Sequence, residues 1–272
     1  MLRTISVVGL MASVAACGSS NNGITHQYAD APTDIMASKM VDGGVSGGVA
    51  QAALNETNPR PREALLEVSP DYQQIKLTIG GTRYTLDATE APGPDGGIFY
   101  ADQNGNFAVF DSSGGSYSGA VLFGSASSGN VGIGVVGAET RIENLPDASV
   151  TYTGEFSIFD TTGRDDSLEA GGGAEIMVDF ASGGVTGTFG EDLANSGFAV
   201  LTGDISGNGF TGAMEITDPI VSGTLDVDAT FFGPGGEEVG GVMTGNVNDG
   251  TGTVGVIGGF QAFGSTTMVS DQ

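Results

Sequence analysis

From Asp147 onward the chain alternates between apolar and polar positions. Val150, Tyr152, Gly154, Phe156 and Ile158 are apolar or glycine, and Thr151, Thr153, Glu155 and Ser157 between them are polar. A period of two puts the two sets on opposite faces, so the segment predicts a strand with one buried face. The pattern returns at Ile176, Val178 and Phe180, set against Glu175 and Asp179, and at Val185, Gly187 and Phe189. Asn208-Gly209 separates two further apolar runs as a hairpin signal. Val221, Gly223, Leu225, Val227, Ala229 and Phe231 then alternate with Ser222, Thr224, Asp226, Asp228 and Thr230. Val239, Gly241, Met243 and Gly245 lead through an Asp249-Gly250 turn to a last glycine-rich strand. About eight strands joined by short links predict an antiparallel up-and-down barrel over 147-272, because closure removes exposed edges. Alternation alone leaves open which face points inward. A membrane-spanning barrel is therefore an alternative, although several strands are short for a bilayer crossing and the aromatic girdles are weak.

Upstream the signal is patchier. "QIKLTIGGTRYTLD" reads as a hairpin turning at Gly80-Gly81, and "GIFYADQNGNFAVFD" as another turning at Asn104-Gly105. With "SYSGAVLFG" and "NVGIGVVG" they predict a small β-rich domain over 67-146. Residues 17-66 read as a flexible tether: "GSSNNG" is linker-like, paired glycines weaken a helix over 34-56, and "NETNPRPRE" ends the segment on two prolines. The whole chain is predicted to be all-β.

Composition sharpens this in two respects. Glycine is abundant, 48 of 272 residues, without a collagen-like period, which suits tight turns and crowded strands. The formal charge is -25, and the eight basic residues all lie at or before Arg164. Such a surface repels phosphate backbones and anionic lipid, so nucleic acid is excluded as a partner class. The charge serves solubility, or steers a basic protein partner.

The N-terminus carries the clearest chemistry. Arg3, an apolar run from Ile5 to Ala16, and small residues ahead of Cys17 give residues 1-16 the layout of a signal peptide. Val14-Ala15-Ala16-Cys17 resembles a bacterial lipobox, in which the cysteine thiol receives a diacylglycerol. Cys17 is the only cysteine, so no disulfide forms within the chain. Acylated there, the protein is anchored to a membrane without spanning it; the other reading is an ordinary signal peptide with a chance cysteine. Gly18 stands where an inner-membrane retention Asp is found in known lipoproteins, which favours the outer membrane.

Catalytic and metal chemistry is sparse. His26 is the only histidine and falls in the expected tether, which removes Ser-His-Asp, Cys-His and zinc sites from the folded part. "DQNGN" and "NVNDG" lack EF-hand spacing and read as turns. The many acids offer no spacing that favours a glycosidase pair. No cofactor and no enzyme activity are expected. In "FFGPGGEEVGG", residues 231-241, Glu237 and Glu238 would repel a phosphate and no lysine is near, so the glycines and Pro234 predict a corner between strands.

That stretch, with "TVGVIGGFQA" after it and "GAETRIENLPDASVTYTGEF" before the barrel, resembles the C-terminal barrel signature of the transferrin-binding protein B family. In that family a Phe-Gly-Pro turn is followed by an acidic residue, Gly-Gly and the last hairpin. The resemblance covers about 137-263. The usual basic or aromatic tail is missing, and Arg141 stands where Pro is often found. It implies one lobe, a β-rich handle over 67-146 followed by the barrel. It implies a lipid-anchored surface protein capturing a protein or solute, often for iron uptake and alongside a TonB-dependent outer-membrane transporter. The family's binding residues lie on variable loops, so none is carried over. A non-catalytic structural or adhesive envelope lipoprotein is the alternative function.

Overall fold

The computed structural model describes residues 25-89, 97-112, 114-162, 168-190 and 198-265. Period-two alternation is realised in the C-terminal half as eight strands: β9 Ser149–Asp160, β10 Glu169–Asp179, β11 Gly184–Gly190, β12 Ala199–Ser206, β13 Gly209–Ile216, β14 Ser222–Phe232, β15 Glu238–Asn248 and β16 Thr253–Ser265. Each pairs antiparallel with its sequence neighbour, and β16 returns to pair with β9, so the sheet closes. The apolar set points inward. Tyr152, Phe156, Phe189, Phe210, Phe231 and Phe260 are buried together, Phe156 and Phe189 meeting edge to face at 5.4 Å. Burying each such ring stabilises the fold by about 1.5–3 kcal/mol, and together they fill the interior as expected of an eight-stranded barrel. The outward face carries Glu155, Glu175, Asp204, Glu215 and Asp226, all exposed. A membrane-spanning barrel needs an apolar band there, so this sheet has the opposite polarity.

The N-terminal half forms a second closed barrel. Its strands are β1 Val45–Ala53, β2 Arg60–Val68, β3 Gln74–Ile79, β4 Thr82–Ala88, β5 Ile98–Ala101, β6 Asn106–Asp111, β7 Ser118–Ser125 and β8 Asn130–Gly137. β8 pairs with β1 to close the ring. The core holds Leu66, Ile75, Leu77, Leu86, Tyr100 and Phe123, and the short helix α1, Met36–Asp42, adds Met36 and Met40 to it. Burial pushes the Tyr100 hydroxyl up to about 12.

Two expectations are corrected here. The segment read as a tether up to residue 66 supplies α1, β1 and most of β2. The small β-rich domain expected over 67-146 is completed by those strands into a barrel of its own. Paired glycines hid β1. A Cβ on Gly47 would overlap the carbonyl of Val135 on the neighbouring strand, so glycine marks close backbone approach there rather than a linker.

The turns follow local chemistry. Ile79 pairs with Thr82 and leaves Gly80-Gly81 as a two-residue loop, as expected. Ser206 pairs with Gly209, so the loop is Gly207-Asn208 rather than Asn208-Gly209. Asn104-Gly105 sits in a longer loop because the Asp102 carboxylate accepts from the backbone N–H groups of Asn104 and Asn106, at 2.8 and 3.0 Å.

Candidate functional site

The two barrels pack side by side, β1 and β8 of the first against β15 and β16 of the second. Ala50, Ala52, Val242 and Ile257 are buried along the line of contact, with Val131, Ile133 and Phe159 against them. Glycine sets how close the sheets come. A Cβ on Gly240 would overlap the Val135 side chain, and one on Gly259 would lie 3.3 Å from Ile133.

A carboxylate locks this seam. Glu238 opens β15, is 5% exposed, and points at the loop ahead of β7. It accepts hydrogen bonds from the backbone N–H groups of Ser116, Tyr117 and Ser118 at 2.7, 3.1 and 2.9 Å, and from Ser118 Oγ at 2.6 Å. Gln261 of β16 donates through Nε2 to the same Oγ at 2.8 Å. Charge-assisted bonds of this kind are roughly twice as strong as neutral ones, and a buried carboxylate without them would be costly.

The corner at 233-236 is stitched to the chain that joins the barrels. The Gly233 N–H donates to Ala138 O at 2.9 Å, and Thr140 Oγ1 donates to Gly233 O at 2.7 Å. Gly233 adopts φ 92°, a conformation that favours glycine. Glu237 accepts from the Gly235 N–H at 2.9 Å, and the buried Tyr152 hydroxyl donates to Gly236 O at 2.7 Å. The glycine-rich stretch is thus a corner, as expected, and its second glutamate clamps the other barrel.

A second buried carboxylate, Glu139, sits on the opposite side of the seam. It accepts from Ser46 Oγ at 2.6 Å and Asn208 Nδ2 at 2.8 Å, and pairs with His26 Nδ1 at 2.7 Å. Its own N–H donates to Gln27 O, and its carbonyl accepts from the Ala29 N–H. Arg141 pairs with Asp30 and lies 4.6 Å over the Tyr28 ring. Residues 26-30 therefore lie as a strap along the inter-barrel connection. The hydrogen bond to Glu139 raises the His26 pKa, outweighing the desolvation that would lower it. His26 was expected to lie in a tether; the structure places it against the folded body. The trio Ser46, Glu139 and His26 has its carboxylate in the middle, whereas a catalytic triad places the imidazole between acid and nucleophile. Ser46 is 1% exposed and donates to the Glu139 carboxylate, so no imidazole stands against its hydroxyl as it would in a triad.

Two packed cylinders leave a groove on each side of their contact line. One, of about 320 Å³, is lined by His26, Arg62, Glu63, Glu139, Asn208 and Asp228. The other is larger, about 710 Å³, and runs between β7–β8 and β9–β16 past Ile133, Val135, Glu155, Gln261 and Phe263. Among the described residues no cluster of His, Cys, Asp and Glu is arranged to hold a metal. Cys17, the site residue singled out from the sequence, lies outside the described residues. Glu139 is not singled out by the sequence, which reads Asn208 only as a turn residue and Glu238 only as a charge that repels phosphate. Glu238 left one trace, a charge at the head of the apolar run "VGGVM".

The family described as C-lobe and N-lobe beta barrels of Tf-binding protein B matches residues 116–261, from just before β7 to within β16. Solved structures of transferrin-binding protein B share the fold. A double mutant from Haemophilus parasuis Hp5 is 21% identical with a TM-score of 0.58, over 79% of this chain and 44% of that one. Intact Ap-TbpB, with N and C lobes, is 18% identical with a TM-score of 0.56, over 81% and 46%. The isotype 1 protein from serogroup B Neisseria meningitidis is 19% identical with a TM-score of 0.56, over 81% and 44%. The chain spans less than half the length of each. No curated protein sequence matches it. The family match covers more than half of the chain, running from the seam strands β7 and β8 through the second barrel as far as Gln261 within β16, so the chain belongs to the transferrin-binding protein B barrel family.

Proposed function

We propose that this protein is a lipid-anchored capture protein of the outer-membrane surface, holding a protein or solute ligand on a rigid pair of barrels. The observation that carries the reading is the match in family and fold to transferrin-binding protein B, over a span that takes in less than half of those chains. The relatives' name points to a transferrin-type protein ligand and to iron acquisition. In this role the Cys17 thiol carries the lipid, residues 18-25 lead to the strap, and a TonB-dependent transporter receives what is captured. The seam supports binding rather than catalysis, because its buried carboxylates are occupied as hydrogen-bond acceptors.

The test has two arms. Metabolic labelling with palmitate should mark the wild-type protein and not Cys17→Ser. The lipid-free protein, immobilised, should retain transferrin or another protein from iron-starved medium. Unlabelled wild-type protein removes the anchor from the proposal. Retention of nothing with or without iron, together with lost surface attachment in a deletion strain, favours the envelope-structural alternative.

A further inference from the structure

The larger groove has two unlike walls. The first barrel contributes Ala120, Ile133 and Val135, with Asp111 at the edge. The second contributes Thr153, Glu155 and Ser157, which project outward from β9 and are exposed. The first wall is largely apolar, and the second is polar and acidic along β9, with the half-buried Phe263 of β16 beside it.

The apolar wall continues beyond the groove. Phe99 pairs with Val109, Val109 with Leu122 and Leu122 with Ile133. Directly opposite residues in neighbouring strands share a face, so these four side chains form one row across the outside of β5 to β8. Phe99 and Leu122 are 41% and 39% exposed, and the Phe107 ring stacks on Phe99 at 5.7 Å. A contiguous apolar row on an otherwise charged exterior marks an interaction surface. Among the described residues of the second barrel there is no Lys or Arg to face Glu155.

We propose that this row and groove receive an extended segment of a partner protein in which apolar and basic residues alternate. Successive side chains of an extended segment point to opposite sides. One set would lie on Leu122 and Ile133 while the other reached Glu155. The formal charge of -25 favours such a segment at long range and disfavours anionic lipid. The proposal rests on the capture reading and names the surface that performs it.

The lipid-free protein provides the test, with amide shifts in NMR as the readout. The probes are synthetic peptides of roughly ten residues, long enough for a strand: Val-Lys alternating, Ser-Lys alternating and Val-Glu alternating, with anionic vesicles as a fourth probe. The Val-Lys peptide should shift the amides of Leu122, Ile133, Glu155 and Gln261. Its affinity should fall about fivefold or more in Glu155→Lys, and with rising salt. Leu122→Ser should weaken it too. Equal binding of Ser-Lys, equal binding of Val-Glu or vesicles, shifts centred on β12 to β14, or no shifts would each overturn the proposal. A partner retained equally by wild type and Glu155→Lys removes the groove and leaves the capture reading. A peptide that binds while no partner is ever retained does the reverse.

Discussion

Among the described residues, the Glu238 and Glu139 carboxylates gather the hydrogen bonds that tie the seam and the connection between the barrels. Glu238→Ala leaves the N–H groups of Ser116, Tyr117 and Ser118 without their acceptor. We expect a loss of about 3 kcal/mol, since each bond to a charged acceptor contributes roughly 1.5–3 kcal/mol and neighbouring losses do not add fully. Glu238→Gln should cost less, and urea denaturation of both variants checks this. His26 gives a pH dependence with a defined sign. Its folded pKa is raised above the ordinary 6.5. Its stabilisation is therefore complete below 6.5 and is lost as pH rises through the higher folded value. Protection of the Ala29 and Glu139 amides, which tie the strap to the connection, should fall over that range and become flat in His26→Gln; unchanged protection would show that the imidazole does not hold the strap. These roles were not readable from the sequence. A glutamate that caps amides more than 100 positions away leaves no local pattern, and neither does a histidine bonded across a similar span.

Strands were legible wherever apolar residues alternated with polar ones, and obscured wherever glycine replaced both. The Tyr152, Phe156 and Ile158 series of β9 announced itself, whereas β1 reads "VSGGVAQAA" and offers few large side chains to count. Glycine there answers to the neighbouring strand and to the seam, which are long-range constraints. Gly240 tests the point. Gly240→Val should push on Val135 and cost about 1–3 kcal/mol, the usual penalty of overpacking. Adding Val135→Ala should restore part of the loss in a double-mutant cycle. Strict additivity would mean that the two strands are not in contact. The turn lies at Gly207-Asn208, one residue before the Asn-Gly signal, with Gly207 supplying the positive φ of 64° and Asn208 bonded to Glu139 in the connection between the barrels.

At the scale of the molecule, a -25 charge is spread over two small barrels joined by a narrow apolar contact. Self-repulsion opposes this arrangement. Raising sodium chloride from about 0.02 M to about 0.5 M should therefore raise the melting temperature by a few degrees, as screening shortens from tens of ångströms to a few. A melting temperature that falls with salt would indicate that ion pairs dominate instead. Sequence patterning identified the second barrel and its family. It left the first barrel and the docking between the two unseen, because both depend on contacts made only after folding. Docking is the central claim, since the grooves exist only if the barrels stay together. The most direct measurement is hydrogen exchange at the amides of Ser116, Tyr117 and Ser118, whose acceptor lies on the other barrel. They should exchange slowly in the wild-type protein and selectively faster in Glu238→Gln, with the β10 to β14 amides unchanged. Fast exchange of the three in the wild type would contradict a closed seam.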